Sequence, residues 1–532
     1  MKKNNLKVVL FGGALLVVIL AIIAQFTKAT WLYLVEALIS LAIIGIAAYN
    51  VKSKNNITKV LLIVFLGLMV LSWIIPAAYY SGQYQEQGRV QMGLFDMFNY
   101  PLTALSYFGF ITLFIILVGG FYGVLYKIPA YRTFLDKVTN AASKNKKVSL
   151  SVMVILLAVL VSFCGLQIGI ALFIPFLVAI ILMMGYDKIT AALVTVGGVA
   201  AGLIGSSFAN SNLSVLTQTL SLKLNYSIWV RLVILLAAII VVIVNVVMYV
   251  NKENKVKKAA KKSTGKAAKK EEAVTVVKSD LLPGAVKETH STWPFVVTFI
   301  LLFVITVLAF ISWDAEGIGV KAFTDLTKNV TELELFKFPI FAKILGTVNA
   351  FGAWTLTDMF VPLALVVLIL ALIYKVSVED VVEGFLSGAK KALGPALVSI
   401  LVYSILVLVT YHPFQLVIYN VLLGMTKGFN ILTTTVIAVL ASMFNADMSY
   451  TFQSVLPYYV TQVTNLKDFS LVGIIFTSMY GLTMLVAPTS LVLMGTLSYL
   501  KVSYKDWLKA VWKLLVELFV ILLLVFIILA LI

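Results

Sequence analysis

Apolar residues run for about 20 positions at a time along most of this chain, without charge and without strand-like alternation, and short lysine-rich segments separate the runs. Twenty residues of helix rise about 30 Å, the thickness of the hydrocarbon layer of a bilayer. The pattern predicts membrane helices at 7–26, 31–49, 59–79, 105–126, 188–222, 228–250, 293–311, 356–374, 393–410, 470–500 and 512–531, eleven crossings in all. Two of them are interrupted. The run Ser206-Ser207-Phe208-Ala209-Asn210-Ser211-Asn212 breaks 188–222, and Ala487-Pro488-Thr489-Ser490 breaks 470–500. Hydrocarbon offers no hydrogen bonds to freed peptide groups, so non-helical backbone at membrane depth must be buried in protein or line a wet cavity.

Two further apolar stretches, 148–185 and 429–460, break near their middles, at 162–169 and at Asn445-Ala446-Asp447-Met448-Ser449. Each half is short for a full crossing. Loop charges require each stretch to leave on the side it entered, so both read as re-entrant hairpins, although an even number of extra crossings satisfies the charges equally. The order helix, helix, amphipathic segment, hairpin, broken helix, helix then occurs twice, over 59–250 and 356–532. The first unit starts inside and the second outside, which is an inverted-topology repeat. Residues 1–58 supply two extra N-terminal helices, 251–292 a basic cytoplasmic linker, and 293–355 a linking helix and an extracellular loop. The expected fold class is therefore an all-α polytopic membrane protein of about eleven crossings plus two hairpins.

Composition sharpens this picture. With 61% hydrophobic and 12% charged residues, the chain cannot bury its apolar surface in a water-soluble core. The net charge of +18 comes from loop lysines that fall on one side of the predicted helices, so it reports orientation and not nucleic-acid binding. The positive-inside rule puts the N-terminus in the cytoplasm and the C-terminus outside. The linker, with Lys257-Lys258 through Lys269-Lys270, reads as a mobile solvated tether or as a contact for anionic lipid headgroups. One cysteine, Cys164, and two distant histidines, His290 and His412, give no disulfide, no metal cluster and no cofactor site. Acids and histidines paired at an interface, as a membrane enzyme needs, are missing from the interruptions, and no repeated ring suggests a channel.

The interruptions supply the candidate binding groups. Gln167 occupies the first hairpin tip, and Ser206, Ser207, Asn210, Ser211 and Asn212 the first helix break. Asn445, Asp447 and Ser449 occupy the second tip, with Thr483, Thr489 and Ser490 around the second break. Half-helix N-termini present amides to anions and C-termini present carbonyls to cations, so these residues can bind substrate or simply satisfy a broken backbone. Asp447 is the one carboxylate in the four interruptions. It can act as a counter-charge, a proton site or a sodium ligand, or sit in water at a loop tip. The glycines 197, 198, 202 and 205 favour close helix packing.

The stretch Trp73-Ile74-Ile75-Pro76-Ala77, the run from Ile174-Pro175 to Tyr186-Asp187, and Ala487-Pro488-Thr489-Ser490 followed by Tyr504-Lys505-Asp506-Trp507 resemble the YfcC-like branch of the ion transporter superfamily. Relatives of that branch include anaerobic four-carbon dicarboxylate carriers and arginine/ornithine antiporters. The resemblance covers about 59–531 and implies inverted repeats, re-entrant hairpins, an elevator motion and a homodimer paired through its scaffold. The chain departs from the family's pattern in carrying Asn210-Ser211-Asn212 where an Asn-Pro-Phe break is usual. Together these readings predict a secondary active transporter of a small organic ion in the bacterial cytoplasmic membrane. Because a lone Asp447 attracts cations, amino acid transport and basic amino acid exchange are favoured over dicarboxylate transport. Sodium coupling, proton coupling and pure exchange all stay open.

Overall fold

The computed structural model describes residues 3–27, 30–50, 57–264, 280–284, 291–315, 318–334, 338–346, 348–426, 428–463 and 465–531. The chain is helical almost throughout. Seven helices among the described residues are long and apolar enough to cross a membrane. Several of the eleven expected crossings are assembled from shorter pieces. Helix α8 (Lys188–Ile204) stops before the first interruption and α9 (Asn210–Thr219) starts after it. Likewise α19 (Phe469–Thr483) and α20 (Leu491–Leu500) flank the second interruption. Helix α14 (Phe360–Ile373), at 14 residues, rises only about 21 Å.

Both expected hairpins break within the predicted interruptions. In the first, α6 (Lys146–Cys164) ends at Gly165, whose φ of +67° suits a left-handed cap, and a 3₁₀ turn (Gly169–Leu172) leads into α7 (Ile174–Met183). Helix α6, at 19 residues, is itself long enough to span, whereas each half was expected to be too short. Pro175 opens α7 instead of kinking it, as its missing N–H allows. In the second hairpin, α17 (Ile431–Phe444) turns into α18 (Met448–Gln462), which carries Pro457 in its interior.

Other elements correct the reading of the sequence locally. Helix α3 (Ile57–Ile74) ends near Pro76, earlier than 79, and the chain then makes a small antiparallel hairpin of β1 (Ala78–Tyr80) and β2 (Tyr84–Glu86), turned by Gly82 at φ +77°. Tyrosine-rich extended backbone is exempt from the all-α expectation. Helix α10 (Ile228–Thr264) continues through the first lysine cluster, because lysine and alanine are good helix formers; the second cluster, 266–270, lies outside the described residues. Glu379 and Asp380 occupy the first turn of the long α15 (Val378–Tyr411). The expected outer loop contains α12 (Ala322–Glu332) and α13 (Ile340–Leu345), after α11 (Trp293–Phe310).

The chain divides into two compact units. One contains 1–112, 215–222 and 394–532, the other 113–214 and 223–393. In the second unit, α6 and α8 pack through glycine: a Cβ on Gly198 would lie 3.0 Å from Leu157, and one on Gly202 would lie 2.7 Å from Val161. Gly205 meets the Cα of Leu235 on α10 closely enough to exclude any side chain. The same unit contains a backbone-on-backbone crossing of α4 (Asp96–Lys127) with α15. Gly119 faces Gly388 and Gly123 faces Gly384, two small-residue pairs each spaced by four. Beyond the crossing, Lys127 pairs with Glu383 at 2.8 Å and Asp380 at 3.8 Å.

In the first unit, α2 (Thr30–Asn50) packs beside α1 (Lys3–Thr27) and α3, and the second hairpin lies on α19 and α16 (Gln415–Met425). His412 is buried, with one ring nitrogen 2.5 Å from the Tyr100 hydroxyl and the other 2.5 Å from the Val90 carbonyl. It ties loop to helix.

Candidate functional site

The candidate residues form two groups, one in each unit. In the 113–214/223–393 unit, the first hairpin tip and the first helix break are stitched together by serine. The Ser162 hydroxyl, in the last turn of α6, donates to the Gly205 carbonyl at 2.7 Å and lies 2.8 Å from the Ser207 hydroxyl. The Ser162 carbonyl in turn accepts the amides of Ser207 and Phe208 at 3.0 and 3.2 Å. Gly165 is needed at the tip because a Cβ there would collide with the Ser211 hydroxyl, besides its positive φ. Gln167 is buried in the tip, its amide bonded to the Gly165 carbonyl at 2.8 Å. Asn210 begins α9 half-exposed, Ser211 is exposed, and Asn212 is buried one position further.

The buried polar atoms of this group without a hydrogen-bond partner among the described residues include the Ser206 hydroxyl and Asn212 Nδ2. Leaving such groups dry costs about 1–3 kcal/mol each, which marks a place where a ligand or water belongs.

The other unit repeats the device with different residues. The Thr489 hydroxyl donates to the Met443 carbonyl, in the last turn of α17, at 3.1 Å. It corresponds to Ser207, whose hydroxyl reaches the Ser162 carbonyl at 3.2 Å. Ser490 caps α20 by accepting the Leu493 amide, and Thr483 closes α19 with its carbonyl accepting the amides of Val486 and Ala487. Asn445 is turned back into its own hairpin, donating to the Ala441 carbonyl at 2.9 Å and to Ser454 at 3.2 Å.

Asp447 is the N-cap of α18. Its Oδ1 accepts the amides of Ser449 at 2.8 Å and Tyr450 at 3.4 Å, so its charge is held by a helix N-terminus. The structure thus gives Asp447 a local structural task. Asp187 behaves the same way at α8, accepting the Thr190 amide at 2.8 Å and the Tyr249 hydroxyl at 3.0 Å.

The residues that close each break were not among the candidates. Arg231, the fourth residue of α10, donates from Nη1 to the carbonyl of Ser206, the second residue past the end of α8, at 3.1 Å. Trp507, the fourth residue of α21 (Tyr504–Leu531), donates from Nε1 to the carbonyl of Leu485, the second past the end of α19, at 2.8 Å. The two contacts are equivalent by position. Tyr504 adds a hydroxyl bond to the Val486 carbonyl at 2.5 Å. An arginine opening an otherwise apolar span was a signal in the sequence, since ionisable groups at membrane depth are costly and are kept for function; Tyr504 and Trp507 were visible only as part of a family motif.

Apolar helices long enough to cross a bilayer, some of them interrupted, define a polytopic membrane protein. The chain belongs to the family of C4-dicarboxylate anaerobic carriers (DcuC), whose profile it matches over residues 9–531. The match starts within α1. A carrier of small organic ions, not an enzyme, is what this membership establishes. No curated protein matches the sequence. Among solved structures, the chain is similar to the YdaH transporter of Alcanivorax borkumensis, with 12% identity, a TM-score of 0.37, and coverage of 88% of this chain and 98% of that one.

Proposed function

We propose that the protein carries a small dicarboxylate anion across the bacterial cytoplasmic membrane by secondary transport. Membership of the C4-dicarboxylate carrier family over residues 9–531 carries this reading. It replaces the basic amino acid exchange favoured from the sequence, whose support was Asp447. That carboxylate is committed to capping α18, and its charge is offset by the amides it accepts. At the first break, by contrast, the buried groups without a partner among the described residues are a hydroxyl and a side-chain amide nitrogen, both able to donate to a carboxylate.

In this proposal the hairpins and broken helices handle substrate, with Gln167, Ser206, Ser207, Asn210, Ser211 and Asn212 in one repeat and Asn445, Thr483, Thr489 and Ser490 in the other. The repeats are inverted, with the N-terminus cytoplasmic and the C-terminus outside, and one repeat's hairpin and broken helix move as a body against a scaffold through which two copies pair. A place in the YfcC-like branch rests on the Pro488-Thr489-Ser490 and Tyr504-to-Trp507 stretches.

The test is uptake and counterflow in proteoliposomes of radiolabelled succinate, malate, arginine and ornithine, with imposed sodium or proton gradients. Saturable dicarboxylate exchange is expected, and its response to each gradient identifies the coupling ion. Arginine or ornithine exchange in the absence of any dicarboxylate uptake would overturn the proposal.

A further inference from the structure

Arg231 is 2% exposed, and all of its polar contacts are with groups that carry no net charge. Nε donates to the Tyr226 carbonyl at 2.9 Å, Nη1 to the Ser206 carbonyl at 3.1 Å, Nη2 to the Leu224 carbonyl, and the guanidinium stacks 4.1 Å from the Tyr226 ring centroid. No carboxylate among the described residues pairs with it. Carbonyl dipoles solvate a cation without cancelling its charge, so a full positive charge stays in a low-dielectric place.

That charge is not required to close the helix break. At the equivalent position of the second repeat, Trp507 satisfies the corresponding carbonyl with a neutral N–H. Closing the break therefore needs no charge; the arginine also holds the Tyr226 and Leu224 carbonyls, and what sets it apart from a neutral donor is the field it brings to the residue of the break that it grips. That residue is Ser206, fully buried, whose hydroxyl has no partner among the described residues; Asn212, 6% exposed, offers Nδ2 in the same condition.

We infer that Arg231 sets the charge selectivity of the carrier. It acts as a positioning residue whose field at the first break favours a doubly charged substrate, one carboxylate of which accepts hydrogen bonds from Ser206 Oγ and Asn212 Nδ2. This rests on the dicarboxylate reading above and adds to it which repeat recognises the charge. A unit charge acting over about 6–8 Å at an effective dielectric near 20 corresponds to roughly 30- to 100-fold in binding.

The experiment compares succinate with its diamide, a neutral molecule of the same length, in proteoliposomes. Arg231→Gln is expected to lower kcat/KM for succinate roughly 30- to 100-fold more than for the diamide, chiefly through KM. Arg231→Lys, which keeps the charge and loses the fork, is expected to retain the ratio. Ser206→Asp leaves the carbonyl bonds of Arg231 in place and sets a carboxylate on the residue it holds, so it is expected to lose the dianion preference as Arg231→Gln does. It decides the matter should Arg231→Gln fail to fold. Wild-type protein that transports neither substrate removes the dicarboxylate reading itself. Wild-type protein that prefers succinate, with Arg231→Gln or Ser206→Asp folding and keeping that preference, overturns the role given to Arg231.

Discussion

The crossing of α4 with α15 makes a sharp prediction, because backbone and not flexible side chain fills the space where a methyl group would go. In Gly388→Ala the new Cβ would lie 2.7 Å from the Gly123 Cα, 2.8 Å from its nitrogen and closer still to the Gly119 carbonyl. Ordinary carbon contacts are about 3.5–4.0 Å, so the two helices must part by about 1 Å. Overpacking of this kind costs about 1–3 kcal/mol, and the upper end applies where no side chain can swing aside. Against it stands a gain of up to about 1 kcal/mol from alanine's better helix propensity. The net expectation is about 2 kcal/mol of destabilisation. Gly424→Ala is the control, since nothing lies within 4 Å of a Cβ there. In detergent, thermal unfolding followed by size-exclusion fluorescence should show Gly388→Ala melting several degrees below wild type and Gly424→Ala at or slightly above it. Gly123→Ala strains the same crossing, so the double variant should lose much less than the sum of the two. Equal melting of Gly388→Ala and Gly424→Ala would refute the close approach.

Other substitutions separate the roles assigned at the breaks. Trp507→Phe keeps the ring but orphans the buried Leu485 carbonyl, at a cost of about 1–3 kcal/mol, seen as a lower melting temperature and slower transport; unchanged melting would show that the bond is not needed. Asp447→Asn preserves the cap on α18 and should transport dicarboxylate at close to the wild-type rate, while Asp447→Ala should lose about 1 kcal/mol of stability. A large transport defect in Asp447→Asn with normal melting would restore a charge role to that residue. Ser207→Ala and Thr489→Val each cut a hydroxyl tie between a break and its hairpin, and both should raise cysteine-labelling rates at the adjacent interruption; no change in either would sink the idea that these ties brace the breaks.

Several particulars were legible in the sequence because they follow from local chemistry. Serine, asparagine and glycine within apolar runs favour helix ends, and α8, α6 and α17 end beside such residues, although Gly198 and Gly202 lie inside α8 and Pro457 inside α18. Asp187 stands immediately before an apolar run, the place of a helix cap, and it caps α8. Asp447 was read differently although it stands in the same relation to α18, because its charge drew attention away from its position as an N-cap.

What the sequence determined by itself was the solvent: long uncharged runs have a transfer free energy that only lipid satisfies, and that is a sum over neighbours along the chain. It also determined where helices must stop, since capping and backbone strain act within a few residues. The tertiary structure alone decided which groups meet across long separations. The pairing of Gly119 with Gly388, of Ser162 with Ser207 and of Arg231 with the Ser206 carbonyl depends on helices that approach only in the folded protein. A freed carbonyl needs a donor within about 3 Å, and periodicity along a chain carries no information about which distant residue will supply it.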